Sequence, residues 1–224
     1  MNETMILKNI VKMYGTNRRA VNDVSLYVRE KERVEVYGSP GSGKCTLMRM
    51  IAGMEKPSAG SVKVLGEDVH NMDEDEAAIF RNKNIGTVFS ESGFMERLNV
   101  LENVALPLAV QRISHTKRNQ MAREQLEELG MAHIAHAYQS QLSNYEAAMA
   151  SLARALITKP KILLLYEIMA DLSLKEKEEM MGVINAFAQY GSLTIMSFNA
   201  AKNTLFHANR RIQLKHGKIL EDKR

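Results

Sequence analysis

The sequence predicts an α/β protein with a parallel core that carries a phosphate-binding loop, an antiparallel β-subdomain on the N-terminal side and an inserted helical subdomain. A glycine-rich loop with a lysine stands between an apolar run at residues 34–37 and an amphipathic run at residues 47–53, the setting that phosphate loops require. Strand patterns stop between residues 98 and 156, where apolar residues recur at helical spacing. Continuous aliphatic runs at residues 162–166 and 193–197 are typical of strands buried on both faces of a parallel sheet.

The N-terminal half alternates between apolar and polar residues in short runs that predict strands. These predicted strands cover residues 5–13, 24–28, 34–37, 61–66 and 85–89. The first two suggest an antiparallel hairpin or neighbouring strands, with a polar turn between them at residues 16–19. A helix is predicted over residues 73–80, with Asp73 as its N-cap.

The second half begins with helices and returns to strands. Helices are predicted over residues 100–110, 116–129, 145–157 and 174–189, and strands over residues 162–166, 193–197, 211–214 and 218–220. The last two strands flank His216 and Gly217 and predict a terminal hairpin. We therefore predict a single domain over residues 1–224, with a helical subdomain at about residues 91–158 inserted into the α/β core.

The phosphate loop is the stretch that points to chemistry. Its residues are Gly38, Ser39, Pro40, Gly41, Ser42, Gly43, Lys44, Cys45 and Thr46. Glycines allow successive backbone N–H groups to point inward and wrap an anion, and the start of the following helix adds further unpaired N–H groups. Lys44 supplies a positive charge for the outer phosphates. These nine residues are therefore predicted to bind the phosphates of a nucleotide.

One position of this loop departs from the motif. Ser or Thr normally follows the lysine, and its hydroxyl holds Mg²⁺; here the residue is Cys45, whose thiol is a soft ligand for a hard cation. Thr46 has a hydroxyl but lies about 100° further round the helix. Binding of Mg²⁺ is therefore doubtful, and the sequence predicts no other metal site, because His133 and His136 lack an obvious third ligand.

Composition limits the classes of function. The chain has 30 Lys and Arg against 26 Asp and Glu, a formal net charge of +4, and no block of like charges typical of nucleic-acid-binding tails. No apolar run is long enough to span a membrane, and residues 1–5 lack the pattern of a signal peptide. A single cysteine fits a reducing compartment. We expect a soluble cytoplasmic protein without a nucleic-acid partner.

Several further segments, in this order and spacing, resemble one family over nearly the full length. They are residues 21–26, 50–62, 81–89, 99–108, 142–143, 152–156 and 159–165. With the phosphate loop, they make the chain similar to the ATP-binding cassette (ABC) ATPases, most closely to the lipoprotein-release and macrolide-export type. The resemblance implies a P-loop NTPase (RecA-like) core, ATP with Mg²⁺ as cofactor, Tyr14 stacked on adenine, and Glu167 as the general base.

The resemblance also implies how such a chain works. Two cassettes, as a homodimer or heterodimer, sandwich two nucleotides between the phosphate loop of one and the signature motif of the other. Closing and opening of the sandwich drives a transmembrane permease subunit. The expected location is therefore the cytoplasmic side, peripheral at the inner face of the cell membrane.

The sequence departs from the family where the chemistry is done. Tyr166 stands in place of the aspartate that orders Mg²⁺, Ser90 in place of a glutamine, Phe198 in place of a histidine, and Ser173 in place of an aspartate. Glu167, at the position of the family's general base, is the one catalytic position at which this sequence keeps the family residue.

The signature motif departs as well. It reads Leu142-Ser143-Asn144-Tyr145-Glu146, where the family has two glycines after the serine. We expect Tyr145 to occupy space that a partner's γ-phosphate requires and Glu146 to repel that phosphate.

Three functions stay open. The first is the ATP-binding subunit of an ABC transporter-type complex, catalytically degenerate, with weak or no ATP hydrolysis. The second is a non-enzymatic pseudo-ATPase that acts as a scaffold or regulator of a membrane permease. The third is an active ATPase with a metal site rebuilt from Thr46 and Glu167. The transported substrate and the identity of the membrane partner do not follow from the sequence.

Overall fold

The structure is a computed structural model that describes residues 3–90, 93–189, 194–203 and 205–224. The strands of these segments are β1 Glu3–Tyr14, β2 Arg18–Arg29, β3 Arg33–Tyr37, β4 Ala59–Val64, β5 Glu67–Asp68, β6 Ile85–Phe89, β7 Ile162–Tyr166, β8 Thr194–Asn199, β9 Arg210–Lys215 and β10 Lys218–Lys223. The helices are α1 Lys44–Ile51, α2 Glu74–Asn84, α3 Val100–Val110, α4 His115–Glu128, α5 Asn144–Leu156 and α6 Leu174–Gln189. Two short 3₁₀ turns, Ala132–Ile134 and Gln139–Gln141, separate α4 from α5.

The strands form two sheets of different character. The four-stranded sheet has the order β2-β1-β4-β5 and is antiparallel throughout. The six-stranded sheet has the order β10-β9-β3-β8-β7-β6, and all its neighbours are parallel except the terminal hairpin of β9 and β10. Since β7 and β8 lie inside this sheet and carry helices on both faces, their aliphatic runs are buried throughout.

Helix α1 lies between the two sheets. It contacts β2 and β4 of the antiparallel sheet and β7 and β8 of the parallel sheet. Its buried residues join one hydrophobic core with the inward faces of both sheets. The loop that precedes α1 is therefore held by both sheets at once.

A second core lies on the opposite face of the parallel sheet. It unites the buried faces of α3, α4, α5 and α6 with β6 and β7. The N-caps of α3 and α5 are Asn99 and Ser143. The Asn99 side chain accepts a hydrogen bond from the backbone N–H of Glu102, and the Ser143 side chain accepts one from that of Glu146. These helices lie between β6 and β7 in the chain, where the helical subdomain is predicted; its boundaries stay a prediction.

The fold class predicted from the sequence is confirmed, with differences at element ends. Strand β2 begins at Arg18 rather than at residue 24, because residues 18–23, most of which are polar, continue the pairing with β1. Helix α1 begins at Lys44 rather than at residue 47, since Gly43 is its N-cap. Strand β8 runs to Asn199, and its predicted first residue, 193, lies outside the described residues. Asp73 is the N-cap of α2, as predicted.

Candidate nucleotide-binding site

The carboxyl ends of the parallel strands bring the predicted site residues to one edge of the sheet. Phe89 of β6 is in register with Tyr166 of β7, which is in register with Phe198 of β8. The phosphate loop follows β3, and β3 lies beside β8. This edge of an open α/β sheet is where ligands bind, and it collects residues that are far apart in the chain.

The phosphate loop has a backbone that only glycine can supply at two points. Gly43 has a φ of 103°, and a Cβ there would lie 2.2 Å from the carbonyl oxygen of Ala20 in β2. A Cβ at Gly38 would lie 2.1 Å from the carbonyl oxygen of Leu214 in β9. The loop is therefore clamped between a strand of each sheet, which fixes the direction of its N–H groups.

Lys44 is the buried cation of this loop. Only 2% of it is exposed. Its Nζ donates to the carbonyl oxygens of Gly38 at 2.6 Å and Ser39 at 3.2 Å, and lies 3.5 Å from Oε1 of Glu167. The structure thus brings together the loop lysine and the carboxylate that follows β7, both of which the sequence singled out.

Ser42 contributes a second polar group to the loop. Its hydroxyl is buried and has no hydrogen-bond partner among the described residues. Its backbone is fully engaged, because Ser42 N–H donates to Ser39 at 3.1 Å and its carbonyl accepts from Gly217 at 2.9 Å. An unpaired buried hydroxyl is costly unless a ligand satisfies it. Ser39, Pro40 and Gly41 form the exposed tip of the loop.

Tyr14 lies at the end of β1 beside the phosphate loop. Its hydroxyl donates to Glu55 and lies 3.4 Å from the hydroxyl of Thr46. Lys12 Nζ and Arg18 Cζ lie 5.4 Å and 6.0 Å from the ring centroid. Burial, and next the hydrogen bond to Glu55, raise the pKa of Tyr14. The ring is 40% exposed, so one part of it is open to a ligand.

Three residues that stand at the family's metal-binding positions share one cavity. Cys45, Ser90 and Tyr166 line a space of about 640 Å³, together with Arg49 and Glu55. Glu55 provides the only carboxylate among the described lining residues, and it is already engaged by Tyr14 and by Lys12 at 3.2 Å. A thiol, a hydroxyl and a phenol make a poor ligand set for Mg²⁺.

Tyr166 is a neutral group at neutral pH. Burial, and next the negative charge of Glu167, raise its pKa to about 12. Its ring packs on Phe89 with a centroid separation of 6.3 Å. The position at which the resemblance implies an anionic metal ligand therefore carries an uncharged aromatic side chain, which packs on a second aromatic ring.

Glu167 occupies a strained turn immediately after β7. Its φ is +47°, in the left-handed region, where a non-glycine residue is uncommon. Its backbone N–H donates to the carbonyl oxygen of Phe198 at 2.9 Å. The turn aims the carboxylate at Lys44, so the chain holds this carboxylate against the phosphate loop.

Phe198 corrects an expectation from the sequence. It is fully buried among apolar residues of the core between the sheets, because β8 continues one residue beyond it. It therefore does not line the phosphate site as a substitute for a histidine. The cleft beside Glu167 is lined instead by Asn199, the last residue of β8, and by residues 200–203 that follow it.

The loop after β8 is fixed by a carboxylate that the sequence analysis missed. Glu35 of β3 is fully buried and accepts from Arg211 Nε at 3.0 Å, from Asn199 Nδ2 at 3.2 Å and from the backbone N–H of Asn203. The carbonyl of Asn199 in turn accepts from Gly38 at 3.2 Å. The sequence signal that could have pointed to this residue is a glutamate within an apolar strand pattern at residues 34–37.

The signature region is arranged differently from the expectation. Glu146 folds back onto the start of its own helix, where it accepts from the backbone N–H and the hydroxyl of Ser143, both at 2.8 Å. His133 lies 3.2 Å from the same carboxylate. Hydrogen bonds from Ser143 lower the pKa of Glu146. Tyr145 is half-buried and hydrogen-bonds Glu179 of α6, and burial is the main reason that its pKa is raised.

Metal-binding clusters and membrane-spanning helices are both absent from the described residues. No group of three or more His, Cys, Asp or Glu among them has an arrangement that could hold a metal ion. None of their helices has both the length and the apolar character needed to cross a membrane.

Comparisons with known proteins identify the family. A family model described as ABC transporter matches residues 21–170. The lipoprotein-releasing system ATP-binding protein LolD of Geobacter metallireducens is 29% identical over 99% of this chain and 100% of its own. An uncharacterized ABC transporter ATP-binding protein of Methanocaldococcus jannaschii is 31% identical over 96% of each chain.

A solved structure agrees with these sequence matches. It is a dimeric post-hydrolysis state of an ATP-binding cassette bound to ADP and Pi, and it superposes with a TM-score of 0.90 at 28% identity, covering 98% of each chain. The family assignment rests on three findings. Two sheets clamp the phosphate loop, the family model matches residues 21–170, and a relative matches over 96% of each chain. The chain belongs to the ABC transporter ATP-binding cassette family.

Proposed function

We propose that this protein is the ATP-binding subunit of an ABC transporter in which ATP is bound but hydrolysed weakly or not at all. The proposal rests on a contrast between the phosphate loop and the cavity next to it. The phosphate-binding part of the loop keeps its glycines, a buried lysine and a buried serine hydroxyl that has no partner among the described residues. The cavity beside it offers a thiol, a hydroxyl and a neutral phenol where the family holds Mg²⁺.

The loop residues fit the phosphates of ATP. The glycine backbone makes a nest of N–H groups at the start of α1, and Ser42 has a hydroxyl without a partner among the described residues. Lys44 Nζ is held by two loop carbonyls and Glu167, and a phosphate can take the place of these acceptors. The Tyr14 hydroxyl lies 3.4 Å from the Thr46 hydroxyl. The Tyr14 ring therefore offers an aromatic surface next to the loop on which the adenine base of ATP can stack.

The residues present do not fit Mg²⁺. The ion prefers oxygen ligands in near-octahedral geometry and is normally held by one or two carboxylates. Tyr166 is neutral because its pKa is about 12, and Cys45 is a soft donor. In phosphoryl transfer the metal neutralises developing charge. A loss of about 4 kcal/mol of such stabilisation lowers the rate by roughly a thousandfold.

Assembly is part of the proposal. A structural relative at 28% identity is a dimer bound to ADP and Pi, and relatives named for lipoprotein release and bacitracin export are ATP-binding components of transport systems. The proposal therefore includes a second cassette and a transmembrane permease subunit as partners. It places the protein on the cytoplasmic side, peripheral at the inner face of the membrane.

The alternative with a rebuilt metal site has no geometric support. It requires Thr46 and Glu167 to face the same ion, but Thr46 lies next to the Tyr14 hydroxyl and Glu167 lies against Lys44. The scaffold alternative differs from the proposed function in one respect, because a scaffold of the permease would not need to bind nucleotide. The unpaired hydroxyl of Ser42 favours a bound anion over a purely structural loop.

A thermal-shift titration with ATP, in Mg²⁺ and in EDTA, tests the proposal. Ligand at about 100 times its Kd stabilises by about 2.7 kcal/mol, which raises Tm by roughly 5–10 °C for a chain of this size. We expect this shift in the natural protein and its loss in Lys44→Ala, with no more than residual ATP turnover. Absence of any shift supports the scaffold function, and robust Lys44-dependent turnover contradicts the proposal.

A further inference from the structure

The cavity beside the phosphate loop contains a cation that the established family activity does not explain. Arg49 lines it with Cys45, Ser90 and Tyr166. These are the three positions at which the resemblance places ligands of the metal. None of the ion pairs formed by the described residues includes Arg49. Arg49 therefore adds a positive charge to the lining of this cavity, without an ion pair among the described residues.

Helix geometry directs this side chain towards the loop. Arg49 lies four residues after Cys45 in α1, so both side chains lie on the same face of the helix. Side chains of a helix point back towards its N-terminus, and the N-terminus of α1 is the phosphate loop. An extended arginine is long enough to cover the one turn, about 5.4 Å, that separates it from the first residues of the helix.

The electrostatic surroundings agree with this placement. The positive charge of Arg49 acts on the phenols of Tyr166 and Tyr14, both of which line the cavity. The single carboxylate among the described lining residues, Glu55, is engaged by Lys12 and Tyr14. Because Tyr166 is neutral and Cys45 is not a hard ligand, the cavity favours a fixed organic cation over a hydrated metal ion.

We propose that Arg49 takes over the charge-neutralising role of the metal and lets this cassette bind nucleotide polyphosphates without Mg²⁺. The guanidinium is always charged and matches the geometry of phosphate oxygens. It neutralises one phosphate oxygen while Lys44 and the loop N–H groups hold the others. It cannot, however, order an attacking water as a metal does, which agrees with binding without efficient hydrolysis. This inference rests on the proposed function, since it assumes that the loop binds nucleotide.

The test is a set of binding titrations with ATP, ADP and AMP in EDTA and in Mg²⁺, on the full chain. The variants are Arg49→Gln, Lys44→Ala and, as a matched control, Arg123→Gln on the exposed face of α4. We expect the natural protein and Arg123→Gln to bind ATP equally well in EDTA and Mg²⁺. Arg49→Gln should weaken ATP binding in EDTA about tenfold, the value of one good charged contact, and affect AMP far less.

The outcomes separate this inference from the proposed function. If the natural protein binds ATP and Arg49→Gln binds it equally well in EDTA, the role of Arg49 is wrong and the proposed function stands. A natural protein that binds only with Mg²⁺ also overturns the inference. If no nucleotide binds under either condition, the proposed function itself fails. Circular dichroism and the Tm of each variant without nucleotide show that a loss of binding is not a loss of folding.

Discussion

The phosphate half and the metal half of the candidate site meet at two consecutive residues, Lys44 and Cys45. Lys44 turns into the loop and binds the carbonyls of Gly38 and Ser39. Cys45 faces the neighbouring cavity with Tyr166 and Arg49. Consecutive helical side chains point about 100° apart, so each half is built by its own set of residues. Nucleotide binding and metal-assisted transfer are therefore physically separable in this fold.

The two halves also differ in what supports them. The phosphate half is fixed by backbone contacts, such as the approach of Gly43 to Ala20 and of Gly38 to Leu214. The metal half consists of side chains at strand and helix ends, where one replacement changes the chemistry without moving the backbone. A loop that keeps its glycines and lysine is thus weak evidence for catalysis, because catalysis also depends on the side chains of the adjoining cavity.

The largest effect is expected from breaking the phosphate half at Gly43. An alanine there would place its Cβ 2.2 Å from the backbone oxygen of Ala20, at a φ of 103°. We expect the free energy of unfolding in denaturant titrations to fall by about 3 kcal/mol or more, because the hydrogen-bonded backbone of β2 or of the loop must shift to relieve the clash. Nucleotide binding should be lost as well.

Gly41 provides the matched control within the same loop. It has a φ of 78°, but a Cβ added there would meet none of the described residues within 4 Å. Gly41→Ala should therefore cost only the left-handed backbone penalty, about 1–2 kcal/mol. Equal losses for the two variants would mean that clamping by the sheets does not support the phosphate half.

A smaller effect, on ligand binding, should follow from rebuilding the metal half. The double substitution Cys45→Ser and Tyr166→Asp supplies a hydroxyl and a carboxylate, which are Mg²⁺ ligands. We expect Mg²⁺ to strengthen ATP binding about tenfold in this variant, measured as the ratio of Kd values in EDTA and Mg²⁺. The variant Cys45→Ala with Tyr166→Asn lacks a charged ligand and should show no such gain. If both variants respond alike, the two positions do not form the metal half.

The smallest effect is expected in the signature region, which belongs to neither half in this chain. Ser143→Ala removes the N-cap of α5 and should lower the free energy of unfolding by about 1 kcal/mol. The hydrogen bonds from Ser143 lower the pKa of Glu146 in the folded state. Their stabilisation is therefore present above the unfolded pKa of a glutamate and is lost as the pH falls through the lower, folded value.

Denaturant titrations at neutral and acidic pH measure this effect. The natural protein should lose more stability between the two conditions than Ser143→Ala, and Glu146→Gln serves as the control that cannot titrate. Because the backbone N–H of residue 143 remains in Ser143→Ala, the decisive comparison is with Glu146→Gln: a pH response that Glu146→Gln leaves unchanged would show that Glu146 is not engaged in capping. The expectation that Glu146 points at a partner's phosphate would then regain support.

Much of the fold could be predicted from local signals. The glycines and lysine of the phosphate loop, the aliphatic runs of β7 and β8 and the helical spacing after residue 98 each have a physical cause within a few residues of chain. The predicted element ends were less accurate, because pairing with β1 extends β2 over residues 18–23, most of which are polar. Long-range pairing therefore decided what the local pattern left ambiguous.

The candidate site was predicted in part. The loop and Glu167 are brought to one edge of the parallel sheet, where Lys44 meets Glu167 across more than a hundred residues of chain. Tyr14 comes from the antiparallel sheet, and its hydroxyl lies 3.4 Å from that of Thr46. Phe198 was misplaced, because counting residues did not reveal that β8 continues to Asn199. Arg49 and Glu35 were missed, since an arginine on a short helix and a glutamate in a strand carry no motif.

By itself, the sequence determined the phosphate loop, the class of fold and the residue types at the positions where the resemblance implies metal ligands, because these depend on residue type at fixed spacing. Tertiary structure alone decided which side chains share a cavity. It buried Phe198 in the core and placed Arg49 beside Tyr166. Such contacts arise from the packing of α1 between two sheets, and no local pattern encodes the distance between elements that packing brings together.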